Sequence, residues 1–352
     1  RPGSGARAVY TALHGVAWGD LERLLLAAGH QVDAVDSQAH PDADFPTVSF
    51  PNPEEPGALD LAMAQANKTS ADLVLANDPD GDRLGVAVPN PDGTWRRLSG
   101  DQIGVLLAAE LLEHGSKAED RMVSTSIVSS TLLSRIAQAN AVAYRETLTG
   151  FKWIARQAIL HDGPFVMGYE EALGYCIGDV VRDKDGLSAA LVFLDLASAC
   201  KAAEESLLDR LLAIYRTYGF HATRQVAVRL EGDSGAARIQ AAMDALRATP
   251  PVDLAGKQVV QVRDVQTGQG RRTGTGETFP VQLPTSNVLE FVLAGGDRVL
   301  VRPSGTEPKI KFYFEVCASV GPGDDLVTLE AVAQQRIDAM AKDVLHKAGF
   351  GD

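Results

Sequence analysis

Three acidic residues at alternate positions, Asp78, Asp80 and Asp82, stand in the run Asn77-Asp78-Pro79-Asp80-Gly81-Asp82-Arg83, with an arginine directly after the last. Carboxylate oxygens are hard ligands suited to Mg²⁺, which takes a few protein carboxylates and fills its other positions with water or a substrate phosphate oxygen. Pro79 and Gly81 bend the backbone so that the three acids can converge. The apolar runs Leu73-Val74-Leu75-Ala76 before the turn and Leu84-Gly85-Val86-Ala87-Val88 after it read as buried strands. Like charges clustered between such strands repel unless a cation joins them. The turn therefore reads as a site for Mg²⁺ and phosphate. It is not an EF-hand, because the twelfth position of such a loop is Pro89, where a bidentate Glu is required.

A second loop, Arg302-Pro303-Ser304-Gly305-Thr306-Glu307-Pro308-Lys309, collects what a phosphate dianion needs. Arg302 offers a planar bidentate contact, Ser304 and Thr306 offer hydroxyls, Gly305 lets backbone N–H groups approach, and Lys309 adds a point charge. The G-x-x-x-x-G-K-[ST] spacing of a nucleotide P-loop is absent, so ATP is not the implied ligand. A third loop runs Gly168-Tyr169-Glu170-Glu171-Ala172-Leu173-Gly174-Tyr175. Its carboxylates suit the paired hydroxyls of a sugar. Adjacent residues of an extended loop point apart, which suits a glycosidase acid and base poorly. Together the three loops describe a sugar phosphate, and they are expected to fold toward a shared cleft.

The elements that must position these loops alternate strand and helix. A strand at 8–13, a helix that stops at Gly29, a strand at 31–35 and a helix at 58–67 lead to the acidic turn, and another helix starts at Gly100. A second α/β pattern starts with a strand at 122–126 and a helix at 130–139. It continues through the Glu170 loop to helices at 186–200 and 206–218. The last third reads as strands and helices around the Arg302 loop, with 268–276 as a Gly-rich turn region and an amphipathic helix at 326–345. The expected fold class is α/β: two similar strand-helix α/β domains, 1–115 and 116–219, followed by a smaller α+β C-terminal domain, 220–352.

At 352 residues the chain exceeds one ordinary core. A formal charge of −13 argues against a nucleic-acid partner. No apolar segment approaches the roughly 20 residues that span a bilayer, and Arg1-Pro2-Gly3-Ser4-Gly5 lacks a signal-peptide core, so a cytoplasmic protein without a membrane partner is expected. Cys176, Cys200 and Cys317 offer neither a disulfide framework nor a zinc pattern and read as small buried side chains.

In this order, the three loops resemble those of the α-D-phosphohexomutase superfamily, the phosphoglucomutases and phosphomannomutases, over nearly the whole chain. The resemblance implies that Asp78, Asp80 and Asp82 bind Mg²⁺ and that Arg83 contacts the transferring phosphoryl group. It implies hydroxyl contacts from Glu170 or Glu171, and binding of the nonreacting phosphate by Arg302, Ser304, Gly305, Thr306 and Lys309. The segment Thr149-Gly150-Phe151-Lys152-Trp153 is similar to a further substrate loop of the family, which carries Thr149, Gly150 and Lys152 over as substrate contacts. Two residues depart from the commonest pattern: Ala172 stands where that pattern has Ser, and Tyr175 where it has His. With Arg182-Asp183-Lys184-Asp185-Gly186, this version resembles the branch that includes phosphopentomutase-like members and many bacterial phosphoglucomutases and phosphomannomutases.

The implied reaction moves a phosphoryl group between the 1 and 6 positions of a hexose phosphate through a hexose 1,6-bisphosphate and an enzyme phosphoserine. The family's phosphoserine loop, of T-A-S-H-N-P type, does not occur in this sequence. Residues 1–352 are thus expected to correspond to domains two to four of such an enzyme, to need an N-terminal phosphoserine domain, and to be inactive alone. Phosphopentomutase activity, a noncatalytic sugar-phosphate-binding module and a metal-dependent sugar phosphatase are the competing readings.

Overall fold

The computed structural model describes residues 5–230, 234–305 and 307–351. Its internal contacts divide the chain into two units, Arg1–Ser129 with Leu133–Ile214, and Ser130–Leu132 with Tyr215–Asp352.

The first unit contains two α/β layers. The first runs β1 (Ala8–Thr11), α1 (Trp18–Ala27), β2 (Val32–Ala34), α2 (Asp60–Thr69), β3 (Leu73–Ala76), β4 (Gly85–Pro89) and β5 (Trp95–Arg97). The second runs α3 (Gly100–His114), β6 (Met122–Ser126), α4 (Leu132–Ala139), β7 (Ala143–Thr147), α5 (Phe151–Leu160), β8 (Phe165–Glu170) and β9 (Gly174–Ile177). Helices α6 (Gly186–Ala202) and α7 (Leu207–Tyr218) follow.

The strand orders are β2-β1-β3-β4-β5 and β7-β6-β8-β9. In both sheets the first strand lies parallel to its two neighbours, and the next strand returns antiparallel through a hairpin. Parallel neighbours need crossovers, which the intervening helices supply. The acidic turn is the β3–β4 hairpin of the first sheet. The Glu170–Glu171 loop is the β8–β9 hairpin of the second.

Packing follows from side-chain size. Strand β3 is buried along its whole length, as a strand covered on both faces requires, and its four residues are all apolar. Ala62 and Ala66 let α2 lie close over Val9, Val74 and Ala76. In the second layer Phe151 and Ile154 of α5 pack on Met122 and Phe165. Ser99 and Gln102 form a reciprocal capping box that starts α3. The division at residue 115 expected from the sequence groups α3 with the first layer. Its contacts lie with β8 and α6, and a Cβ at Gly104 would come 2.7 Å from the Tyr169 ring.

The second unit is the smaller of the two. It is built from β10 (Phe220–Arg229), α8 (Ser234–Ala248), β11 (Asp253–Leu254), β12 (Lys257–Asp264), β13 (Gln269–Arg272), β14 (Thr278–Pro280), β15 (Leu289–Leu293), β16 (Arg298–Pro303), β17 (Lys309–Ala318) and α9 (Leu326–Lys347). Its antiparallel sheet has the order β10-β17-β16-β15-β12-β13-β14, and β11 pairs with β12. Within residues 268–276, expected as a turn region, 269–272 form β13, while turns at 268 and 273–275 flank it. Cross-strand hydrogen bonds to β12 and β14 hold this glycine-containing segment extended, where its intrinsic preference favours a turn.

A buried carboxylate, Glu315, accepts from the Thr131 backbone N–H at 2.7 Å and the Ser130 hydroxyl at 2.8 Å, and pairs with Arg298 and His221. Burial pushes its pKa up, and Arg298 and His221 outweigh that and hold it well below the usual range. All three cysteines are buried, and none forms a disulfide. No single helix among the described residues is long and apolar enough to cross a membrane.

Candidate active site

The β3–β4 turn is held from both sides. Gly81 has φ +76°, a backbone region that favours glycine, and its N–H donates to the Asp78 carbonyl at 2.9 Å. Buried Asn77 accepts from the Tyr10 hydroxyl at 2.8 Å, while its amide donates to the Arg83 carbonyl. The loop after β1 braces the turn, with Val16 N–H donating to the Pro79 carbonyl at 2.9 Å. Gly15 leaves room for that approach, since a Cβ there would lie 2.4 Å from the Pro79 backbone.

One oxygen each of Asp78, Asp80 and Asp82 lies within 4.8 Å of the others. Asp78 is buried, Asp82 half-buried and Asp80 exposed. The Asp78 carboxylate accepts from Arg83 N–H at 3.0 Å and lies 3.3 Å from Arg83 Nε. Burial, joined by the charges of Asp80 and Asp82, pushes its pKa up to about 6 against the lowering effect of Arg83. A set of three converging hard oxygens, open on the Asp80 side, fits a small divalent ion that keeps water or a phosphate oxygen on its outer face.

The β8–β9 hairpin meets this turn directly. Arg83 and Gly174 form an antiparallel bridge, and Leu84 N–H donates to the Leu173 carbonyl at 3.0 Å. Glu170 accepts from Gly150 N–H at 2.6 Å, which places its carboxylate at the N-terminus of α5 and ties together two of the expected substrate segments. Thr149 and Gly150 are thereby beside Glu170. Lys152 is exposed, and its ammonium lies 5.5 Å from the centre of the Trp153 ring.

Glu171 turns the other way. Its carboxylate accepts from the Ser126 hydroxyl at 3.2 Å and the Ser129 hydroxyl at 3.3 Å, and its own N–H donates to Ser129 Oγ at 3.1 Å. The residue as a whole is half-buried, but its carboxyl is enclosed. Burial, reinforced by Asp101 and Glu170, pushes the pKa up to about 7. The two glutamates thus diverge, Glu170 to the N-terminus of α5 and Glu171 to the serines that hold the hairpin. Tyr175 is buried, and its hydroxyl donates to the Gly100 carbonyl at 3.2 Å.

Lys184, read from the sequence only as part of the 182–186 run, is a further member of the site. Its Nζ lies 2.5 Å from Asp82 Oδ2 and 6.0 Å from the centre of the Phe151 ring. Asp185 caps α6, and Gly186 N–H donates to the Gly81 carbonyl at 3.2 Å. A lysine between two aspartates just ahead of a helix start was the available signal. Ser126, Ser129 and Gly15 carried none, because a small polar or glycine residue in a loop is common.

In the second unit, residues 302–309 join β16 to β17. Ser304 N–H donates to the Lys309 carbonyl at 2.7 Å, and Lys309 N–H to the Glu307 carbonyl at 2.7 Å. Arg302 and Ser304 are half-buried and Gly305 exposed, while Arg229 lies 3.4 Å from the Glu307 carboxylate. Arg302, Ser304, Gly305 and Lys309 thus share one tight connection. Thr306 lies outside the described residues.

Sequence comparison places the chain among known proteins. Profiles of phosphoglucomutase/phosphomannomutase cover the chain in series: alpha/beta/alpha domain II at residues 1–93, alpha/beta/alpha domain III at 99–218 and the C-terminal domain at 226–326. The chain belongs to the phosphoglucomutase/phosphomannomutase family.

A probable phosphomannomutase of Haemophilus influenzae is 41% identical over 346 residues, 97% of this chain and 65% of the relative. A probable phosphoribomutase of Schizosaccharomyces pombe is 39% identical over 326 residues, 88% of this chain and 54% of the relative. The chain therefore spans between about half and two thirds of these relatives' length. Among solved structures, the open form of parafusin, a phosphoglucomutase from Paramecium, aligns over 99% of this chain and 59% of its own with a TM-score of 0.67 at 18% identity, a likeness of fold.

Proposed function

We propose that this phosphomutase-family chain is the metal- and sugar-phosphate-binding portion of a phosphohexomutase, which moves a phosphoryl group between the 1 and 6 positions of a hexose through a hexose 1,6-bisphosphate and a phosphoserine. The observation that carries the reading is the bridge between Arg83 and Gly174, which sets the triple-carboxylate turn beside the hairpin that bears Glu170. A metal-only role gives no reason for that neighbour, and a sugar-only role gives none for the carboxylates.

Asp78, Asp80 and Asp82 would hold the ion, for which Mg²⁺ is the hard-ligand choice. Bound there, it would offset the charge that builds on phosphoryl oxygens during transfer. The chain's own groups position and stabilise. Arg83, oriented by Asp78, would donate to the phosphoryl oxygens. Glu170, fixed by the Gly150 N–H, would accept from sugar hydroxyls, with Thr149 and Lys152 contributing from the segment that carries Gly150. The connection 302–309 binds a phosphate through Arg302, Ser304, Gly305, Thr306 and Lys309. The serine that carries the phosphoryl group is not among residues 1–352 on this reading, so this stretch alone binds substrate without appreciable turnover.

Calorimetric titration of the 352-residue chain with glucose 1,6-bisphosphate and Mg²⁺ tests the proposal. Saturable binding of the sugar bisphosphate that Glu170→Gln weakens about tenfold is expected. Equal binding by wild type and Glu170→Gln, or rapid mutase turnover by this chain alone, would overturn it.

A pentose phosphate is the second reading, favoured by Ala172, which removes one hydroxyl from the sugar hairpin, and by the name of the S. pombe relative. Parallel titrations with glucose 1-phosphate, mannose 1-phosphate and ribose 1-phosphate decide between them through the tightest ligand.

A further inference from the structure

Lys184 occupies a place that the reading of the turn as a metal site does not need. Its ammonium lies 2.5 Å from Asp82 Oδ2, on one of the three carboxylates that would share the ion. Its stem is confined as well, since a Cβ added to Gly174 would come 2.6 Å from Lys184 Cδ. At the next two positions the backbone is fixed, by the Asp185 cap of α6 and by the approach of Gly186 to within 2.3 Å (for an added Cβ) of the Arg83 carbonyl.

Arg83 differs from Lys184 in what anchors it. Both its backbone N–H and its side chain meet Asp78, so it belongs to the turn that builds the site. Lys184 enters from a separate segment, packs its stem on Gly174 and brings a charge to the Asp82 carboxylate. Such a charge has two effects on an incoming divalent cation: it draws electron density from a ligand oxygen, and it repels the ion across a few ångströms of partly shielded space.

We propose that Lys184 is a competing cation that holds down the affinity of the Asp78–Asp80–Asp82 turn for its divalent ion, so that the ion binds weakly enough to exchange. The proposal rests on the metal reading of the turn. Lys184 is thereby a residue that tunes the site without ligating the ion.

Mn²⁺ is the probe, with free Mn²⁺ counted by its electron paramagnetic resonance signal as it is titrated into the 352-residue chain at low ionic strength. Lys184→Met keeps the stem that packs on Gly174 and removes the charge. It is expected to bind Mn²⁺ on the order of tenfold more tightly than wild type, with Lys184→Arg staying within about threefold of wild type. The gap should narrow in 0.5 M KCl, because mobile ions screen the ammonium. Circular dichroism melts establish that each variant is folded.

Unchanged or weaker binding by folded Lys184→Met, with Asp80→Asn abolishing binding, overturns this inference and leaves the metal reading standing. If wild type shows no saturable binding, or binds just as Asp80→Asn does, the metal reading falls and takes the inference with it.

Discussion

The β3–β4 hairpin and the β8–β9 hairpin occupy the same place in two sheets of the same strand pattern, yet they carry opposite duties. Each follows the third strand of its layer in chain order, and each is braced by the loop after that layer's first strand, Val16 N–H on Pro79 in one and Ser129 Oγ on Glu171 in the other. They differ in where their carboxylates point. Three acids of the first converge within 4.8 Å of one another, a costly arrangement that a cation relieves. The two of the second diverge, one to the N-terminus of α5 and one into a pair of serines. On the proposed reading, a shared backbone plan serves metal binding in one hairpin and sugar binding in the other, according to which side chains the turn presents.

The sharpest way to separate the two hairpins is Asp80→Asn. Asp80 is exposed, so its loss should leave the melting temperature within about 2 °C while weakening Mn²⁺ binding more than 100-fold, on the order of 3 kcal/mol. Sugar-phosphate affinity measured without metal should stay unchanged. If that affinity fell equally, the hairpins would not be independent.

Next in size is Gly100→Ala. A Cβ there would stand 1.9 Å from the Glu171 carbonyl oxygen, a backbone atom that cannot swing aside. A loss of about 3 kcal/mol in urea unfolding is expected, together with weaker sugar-phosphate binding. Gly15→Ala, 2.4 Å from the Pro79 backbone, should damage Mn²⁺ binding in the same manner. A reversed pattern, with each variant harming the other hairpin's ligand, would refute the idea that each layer braces its own.

Glu171→Gln tests whether the inward carboxylate is a strut. With its pKa raised to about 7 by burial, Glu171 keeps its proton more readily in the folded than in the unfolded chain. Its contribution therefore disfavours folding increasingly as pH rises from the ordinary glutamate range toward 7. The Gln variant should be roughly 1–3 kcal/mol more stable than wild type at pH 8 and about equal at pH 4.5, as read from unfolding at the two values. A constant difference at both would show that the carboxyl does not titrate as proposed. The smallest effect is expected from Ser129→Ala, about 1 kcal/mol of stability, from loss of a hydroxyl that accepts from Glu171 N–H and donates to its carboxylate.

The candidate residues are legible in the chain itself, because they stand in short contiguous runs. Asp78, Asp80, Asp82 and Arg83 lie within six residues, and Arg302 to Lys309 within eight, so composition and turn propensity alone expose them. Lys184 was not assigned a role, since its partner Asp82 is a hundred residues away and a lysine between aspartates ordinarily faces solvent. The roles of Glu170 and Glu171 could not be told apart either. Alternation along an extended chain says only that neighbours diverge, and which one meets the α5 N-terminus depends on the strand's register in the sheet.

Sequence by itself determined most local elements and the side-chain chemistry of the loops: which runs read as strands, that a helix starts at Gly100, which turn carries carboxylates and which carries cations. These follow from near-neighbour preferences and side-chain chemistry. Tertiary structure alone decided that the two hairpins are equivalent, that Arg83 pairs with Gly174, that α3 packs on β8, and that Lys184 stands on Asp82. Each of those depends on surfaces brought together by burial of apolar area, a force without direction that leaves no mark at the positions it joins.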